Sequence, residues 1–259
     1  LPEETRDLSY IYVTIEPSQA DRVAGQQEVE NAVVALNTTP GTEGVAANTK
    51  FSVQSNRVPL SAVYDRNLKD FLAGAATDSA AVINRNGDTY TLAKLLDVST
   101  GIDSINVSVL QAGPAVNLDS IAATLGGNAS FAALSDGATM QGQDSIWTSL
   151  EVQGMDAKVK AALENAAIGN AFVLRDSVQG QAVGAVYKVN ARKPAVKFYN
   201  VAVIEYTIDP SQETLNKLSG DLRTYVSNNS SADEFVKNAT DAGYSVLSAQ
   251  VSNSSTGIG

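Results

Sequence analysis

The chain has 259 residues, room for two or three small domains, with 44% apolar residues, 18% charged ones and a net charge of −10. Without a Lys/Arg cluster, this charge speaks against nucleic-acid binding by phosphate neutralisation and against docking on an anionic membrane surface. There is no His and no Cys, which removes Ser-His-Asp and Cys-His triads, histidine general bases and every His-containing metal site. No cofactor is expected, and a chain without thiols fits an oxidising compartment.

Leu1-Pro2-Glu3-Glu4 opens the chain without an initiator Met or a signal peptide, which reads as an excised piece with any export signal or anchor upstream. No apolar run reaches the ~18 residues of a bilayer span. Ile11–Ile15 alternates as a strand, and Glu16-Pro17-Ser18-Gln19 starts a helix through Val29, Ala32, Val33 and Leu36. A turn at 38–41, a short helix over 45–49 and a strand at Phe51-Ser52-Val53 follow. Leu68–Gly74 reads as a short helix, and Ala80–Asn84 and Thr89–Asp97 as strands joined by an Asn86-Gly87 hairpin turn. In the second half, Val159–Ala167 is a helix ending near Gly169, before strands Ala171–Arg175 and Gln181–Val189 that turn at Gly180.

The chain repeats itself. Ile11-Tyr12-Val13-Thr14-Ile15-Glu16-Pro17-Ser18-Gln19 recurs as Ile204-Glu205-Tyr206-Thr207-Ile208-Asp209-Pro210-Ser211-Gln212, with six identities in nine positions. After Gln212 a helix runs through Leu215, Leu218, Leu222 and Val226. Ser231-Ala232-Asp233-Glu234 then opens a second helix with a capping box, closed by Gly243 before the strand Tyr244–Leu247. The elements parse as β-α-α-β-α-β-β over 8–98 and again over 103–192. The first half of that order, β-α-α-β, returns over 198–251. This gives an α+β class with unit boundaries at 1–100, 101–194 and 195–259, the third unit incomplete or completed by something else.

Four segments of the middle unit carry a sequence pattern in order. They are Gly127-Asn128-Ala129-Ser130-Phe131-Ala132-Ala133-Leu134-Ser135, Gly142-Gln143-Asp144-Ser145-Ile146-Trp147, Gly154-Met155-Asp156-Ala157-Lys158-Val159 and Gly184-Ala185-Val186-Tyr187-Lys188-Val189. This pattern resembles that of parvulin-type peptidyl-prolyl isomerases. Glu4–Ile11 and Tyr199–Ile204 are similar to segments of PpiD-type and SurA-type periplasmic folding factors. The resemblance implies tandem parvulin-like units, small antiparallel sheets covered by helices. It also implies a periplasmic location behind an inner-membrane anchor, with unfolded or nascent envelope proteins as partners.

An X-Pro bond isomerises slowly because amide resonance sets a barrier of ~18–20 kcal/mol. An isomerase must bind the twisted amide better than either planar form. In the family, two His on the first and last strands support that polar network. The resemblance puts those places at Val109 and Ala185 in the middle unit, at Tyr12 and Thr91 in the first, and at Glu205 in the third. Met155 keeps the family's Met, while Val159 replaces the usual Phe and weakens the grip on a proline ring by ~1 kcal/mol. Val109, Ala185, Met155, Val159, Tyr12 and Thr91 are therefore candidates for peptide binding, with no catalytic residue and no metal ligand among them. Two further readings are residual isomerase activity without His, and a spacer or assembly platform.

Bland roles compete at several positions. Trp147, the single Trp, fits core or rim packing. Carboxylates such as Asp7 with Glu16, and Asp233 with Glu234, fit helix starts where the dipole favours them. Asn-x-Ser/Thr sequons at Asn37, Asn106, Asn128, Asn228, Asn229, Asn238 and Asn253 fit the chain's Asn/Ser/Thr content.

Overall fold

The computed structural model describes residues 4–112, 116–127, 131–134, 140–150, 155–178 and 181–252, without the side chains of 133, 176–178 and 181–183. Of the residues quoted above, Leu1, Pro2, Glu3, Asn128, Ala129, Ser130, Ser135, Gly154, Gly180 and Asn253 lie outside the described residues. In chain order the elements are β1 (Thr5–Tyr12), α1 (Gln19–Thr38), α2 (Glu43–Ala46), β2 (Phe51–Pro59), α3 (Arg66–Gly74), β3 (Ala80–Asn86), β4 (Thr89–Gly101), β5 (Ser104–Ala112) and α4 (Leu118–Gly126). They continue with α5 (Phe131–Leu134), β6 (Met140–Ser149), α6 (Ala157–Asn165), β7 (Ala171–Val178), β8 (Gln181–Arg192), β9 (Val196–Thr207), α7 (Gln212–Asn228), α8 (Ala232–Ala239) and β10 (Ser245–Ser252). The fold is mixed α and β, built on small antiparallel sheets. Two compact units divide the chain, one from 1–54, 78–94 and 202–259, the other from 55–77 and 95–201.

Local chemistry explains the repeated elements. α3 and α6 are both nine residues long and start behind an Asp N-cap. Asp65 accepts from Leu68 N, and Asp156 from Lys158 N and Val159 N, filling donors that a helix start leaves open. Leu72 and Leu163, seven residues past their caps, are both buried. The hairpins that follow share one register: Ala80 opposes Lys94 and Val82 opposes Leu92, as Ala171 opposes Lys188 and Val173 opposes Val186. The first hairpin turns at Gly87, whose φ of +58° suits a residue without a Cβ.

A lysine on the last strand of each hairpin closes a helix. Lys94, fully buried, donates to Leu36 O at 2.6 Å and Thr39 O at 2.7 Å, at the C-terminal end of α1. Lys188 donates to Leu125 O at 2.8 Å, at the end of α4. These carbonyls have no partner within their helices, so an ammonium there fills the bonds and complements the helix dipole.

The sheet pairing does not follow the sequence units. The sheet β6-β5-β8-β7 has its own first strand, β5, between the second and the fourth. The other four-stranded sheet runs β2-β9-β4-β3, so the place of the first strand is taken by β9, from the third unit. β1 pairs instead with β10, from Thr5 opposite Ser252 to Tyr12 opposite Ser245. The third unit is thus completed by the first strand of the chain, and the two repeat copies have changed places.

Packing separates the copies. Ile204, Tyr206 and Ile208 are buried, Ile208 to 4% exposure, whereas its counterpart Ile15 is 54% exposed. Tyr206 packs against Phe51 with tilted rings, centroids 4.7 Å apart, and donates to Glu28 at 2.8 Å. Burial and the Glu28 carboxylate push that phenol well above its usual range. The strand expected over 11–15 ends at Tyr12, which stands opposite Ser245, the first residue of β10, so the ladder offers Val13–Ile15 no partner.

The helix starts that follow the two copies meet. Ser18 and Asp21 form a capping box on α1, and Ser211 caps α7 through Thr214 N. The Thr214 hydroxyl donates to the Asp21 carboxylate at 2.6 Å. Hydrogen bonds from Ser211, Thr214 and Ser18 N hold the Asp21 carboxyl far below the usual carboxylate range.

Candidate functional site

The middle sheet offers two chemically different faces. On one, Leu110 and Val186 form a buried core with Leu118, Ala122 and Leu125 of α4. On the other, Ile105, Val107 and Val189 pack with Leu150 and with Leu163 of α6. Alternation along a strand produces this division, since residues i and i+2 share a face.

The α6 face carries a layer of half-buried apolar side chains. Val109, Ile146, Met155, Val159, Phe172 and Tyr187 all pack against the buried Ile105–Leu163 core. Val109 lies directly opposite Tyr187, and Tyr187 stacks on Phe172 at 5.8 Å and 17°. Met155 precedes the Asp156 cap, and Val159 stands in the first turn, its N–H bound to Asp156 at 3.2 Å. The cap therefore sets where two of the predicted residues stand. Burial, then the charge of Asp156, raises the Tyr187 phenol above its usual range, so it stays a hydrogen-bond donor at neutral pH.

Three of the predicted residues, Val109, Met155 and Val159, thus come together. Ala185 lies opposite Gln111, one diagonal step from Val109 on the same side of the sheet. Tyr12 and Thr91 are not neighbours: Tyr12, 63% exposed, ends β1 opposite Ser245, while Thr91 opposes Asn84 in β4. The strand running beside β4 is β9, which carries Glu205. Phe172, Tyr187 and Ile146 were missed as candidates. The signal available was the alternation of Phe172 and Val173 in β7 against Val186 and Tyr187 in β8, which sends one aromatic from each strand to the same face.

Around the bulge in β6, polar groups are satisfied internally. Asn190 donates to Asn106 Oδ1 at 3.0 Å and to Ser108 Oγ at 2.8 Å, and Ser108 donates to Asp144 at 2.5 Å. Ser145, held at a φ of +53°, donates through its hydroxyl to Asn106 and through its N–H to Ser108. Ser108 is buried to 2% exposure, so its hydroxyl anchors the bulge and is closed to a macromolecular substrate. Trp147 is 53% exposed on this strand, with Lys193 Nζ 5.6 Å from its ring centroid. Among the described residues no group of three or more His, Cys, Asp or Glu is placed to hold a metal ion.

The apolar layer supplies contact area and, at Tyr187, one phenol donor. Such a surface can hold an extended chain by its side chains. Comparison with family models, with curated proteins and with solved structures finds no match to this chain.

Proposed function

We propose that this chain is a periplasmic protein-folding factor of parvulin type, built of tandem parvulin-like units, that binds extended or unfolded envelope polypeptide without isomerising it. One observation carries the reading: Val109, Met155 and Val159, picked out by the family pattern, gather with Tyr187 and Phe172 into one apolar layer beside α6. Where the family has its histidines, Val109 and Ala185 offer neither a proton nor a lone pair. A client side chain covering roughly 150–200 Å² of apolar surface gains about 4–5 kcal/mol before ordering costs. That suits holding that is weak and quickly reversible.

The test is a titration with a permanently unfolded polypeptide, following backbone amide signals. Shifts at Val109, Val159, Phe172, Tyr187 and their neighbours are expected. A titration that moves none of them would favour a spacer or assembly platform and would end this proposal.

A further inference from the structure

Around β1, the protein already binds an extended segment of polypeptide. β1 reaches β10 from the far end of the sequence and pairs with it antiparallel over eight residues. Its first five side chains and Tyr12 are exposed; only Tyr10 and Ile11 are half-buried, opposite Leu247 and Val246. The first-place strands of the two larger sheets differ. β5 buries Ile105, Val107 and Leu110, and β9 buries Phe198, Val201, Ala202, Ile204 and Tyr206. Main-chain hydrogen bonds therefore hold β1, with one exposed side-chain bond beside them, from Gln250 to Asp7 at 3.2 Å.

The acceptor has a small core of its own. Tyr225 of α7 is buried between the rings of Phe235 and Tyr244, at 5.4 Å and 4.9 Å, and its hydroxyl donates to Phe235 O. Asn229 bridges the two helices, donating to Tyr225 O at 2.8 Å and accepting from Asn238 at 2.6 Å. None of these contacts uses β1. A two-stranded sheet is marginal by itself, so β1 can leave β10 without dismantling this core.

We propose that the β10 edge now covered by β1 is a strand-acceptor site: β1 is its built-in occupant, and an extended client segment displaces it by pairing antiparallel with β10. The occupant's chemistry follows from β1 itself. It is an extended stretch free of proline, with two adjacent apolar residues at the places of Tyr10 and Ile11 and few constraints elsewhere. The inference rests on the reading that the chain holds extended polypeptide, but puts that binding at a second site, remote in sequence from Met155.

The absence of Cys makes the site lockable. Ser9 and Ser248 face each other across the ladder, and both are exposed. Directly opposed residues of an antiparallel pair lie within disulfide reach. In S9C/S248C, oxidation should give an intramolecular disulfide. A fluorescent peptide with the sequence of residues 4–12 should bind the reduced form at least tenfold more tightly than the oxidised form. M155D in the same background should leave that difference intact. In the wild-type chain the peptide should shift the Leu247 and Ala249 amides. Failure of the disulfide to form, equal peptide binding by both forms, or no binding by the reduced form would each overturn the proposal. If unfolded polypeptide still shifts Val109 and Val159 when the peptide does not bind, only the β10 site falls.

Discussion

A Cβ on Gly25 would lie 2.6 Å from Ile208 Cγ1 and 2.8 Å from its Cδ1. The buried face of α1 is therefore shaped for the second copy of the repeat and not for Ile15, its own neighbour in sequence. Gly25→Ala should cost about 1–3 kcal/mol through overpacking, less the ~1 kcal/mol that Ala gains over Gly in a helix. Combining it with Ile208→Val should recover part of the loss, whereas Ile15→Val should recover nothing. Urea denaturation of the two double mutants reads the coupling directly. Coupling to Ile15 instead would show that the strands have not changed places.

Lys94 and Lys188 do the same job at different depths. Lys94→Met should cost about 2–4 kcal/mol, because it leaves the buried Leu36 carbonyl without a donor and removes the part-buried bond to Thr39 O. Lys188→Met removes one bond at a partly buried site and should cost about 1 kcal/mol. Thermal unfolding followed by circular dichroism would rank the two variants.

Asp21 links stability to pH. Its carboxyl titrates in the folded state far below the ~3.9 of an unfolded chain. The stabilisation is therefore complete at pH 7 and is lost as pH falls below about 4. Asp21→Asn should lower stability at pH 7 and flatten the acid limb below pH 4, measured as unfolding midpoints from pH 7 to pH 2. An unchanged limb would mean that the bonds from Ser211 and Thr214 do not form.

Much of this fold is legible in the sequence. The Asn86-Gly87 turn and the Ser-Gln starts of α1 and α7 are local signals, and those elements stand where the signals put them, whereas α3 and α6 start two residues before the expected Leu68 and Val159, at the Asp65 and Asp156 caps. The exchange of β1 and β9 is not legible, because the two copies share the same alternation and the same helix start. What separates them is volume and, at Ala202 against Ser9, polarity. Phe198, Ala202 and Tyr206 are buried in β9 where the other copy has Thr5, Ser9 and Val13. Only the sheet that receives them can read that difference. At the candidate site, Met155 and Val159 were picked out by the parvulin-like resemblance, and both pack against the same buried cluster. Phe172 and Tyr187 were not, because their meeting depends on the β7–β8 register.

Prolyl isomerisation offers a check on the chemistry. Val109 and Ala185 cannot support a twisted amide by hydrogen bonding through their side chains. Short X-Pro peptides should therefore interconvert at the uncatalysed rate, over tens to hundreds of seconds at 25 °C, at any concentration of this protein. Clear acceleration, lost on Met155→Asp, would establish residual isomerase activity.

The most direct test of the binding claim compares wild type with Met155→Asp and Val159→Asp in the titration with unfolded polypeptide. A carboxylate in the apolar layer must either be desolvated or keep the client away. Read from the Val109 and Tyr187 amides, both variants should bind at least tenfold more weakly at this layer, a loss of about 1.4 kcal/mol or more, while their unfolding midpoints show that the sheet remains folded. Folded variants that bind the unfolded chain as tightly as wild type would contradict the account.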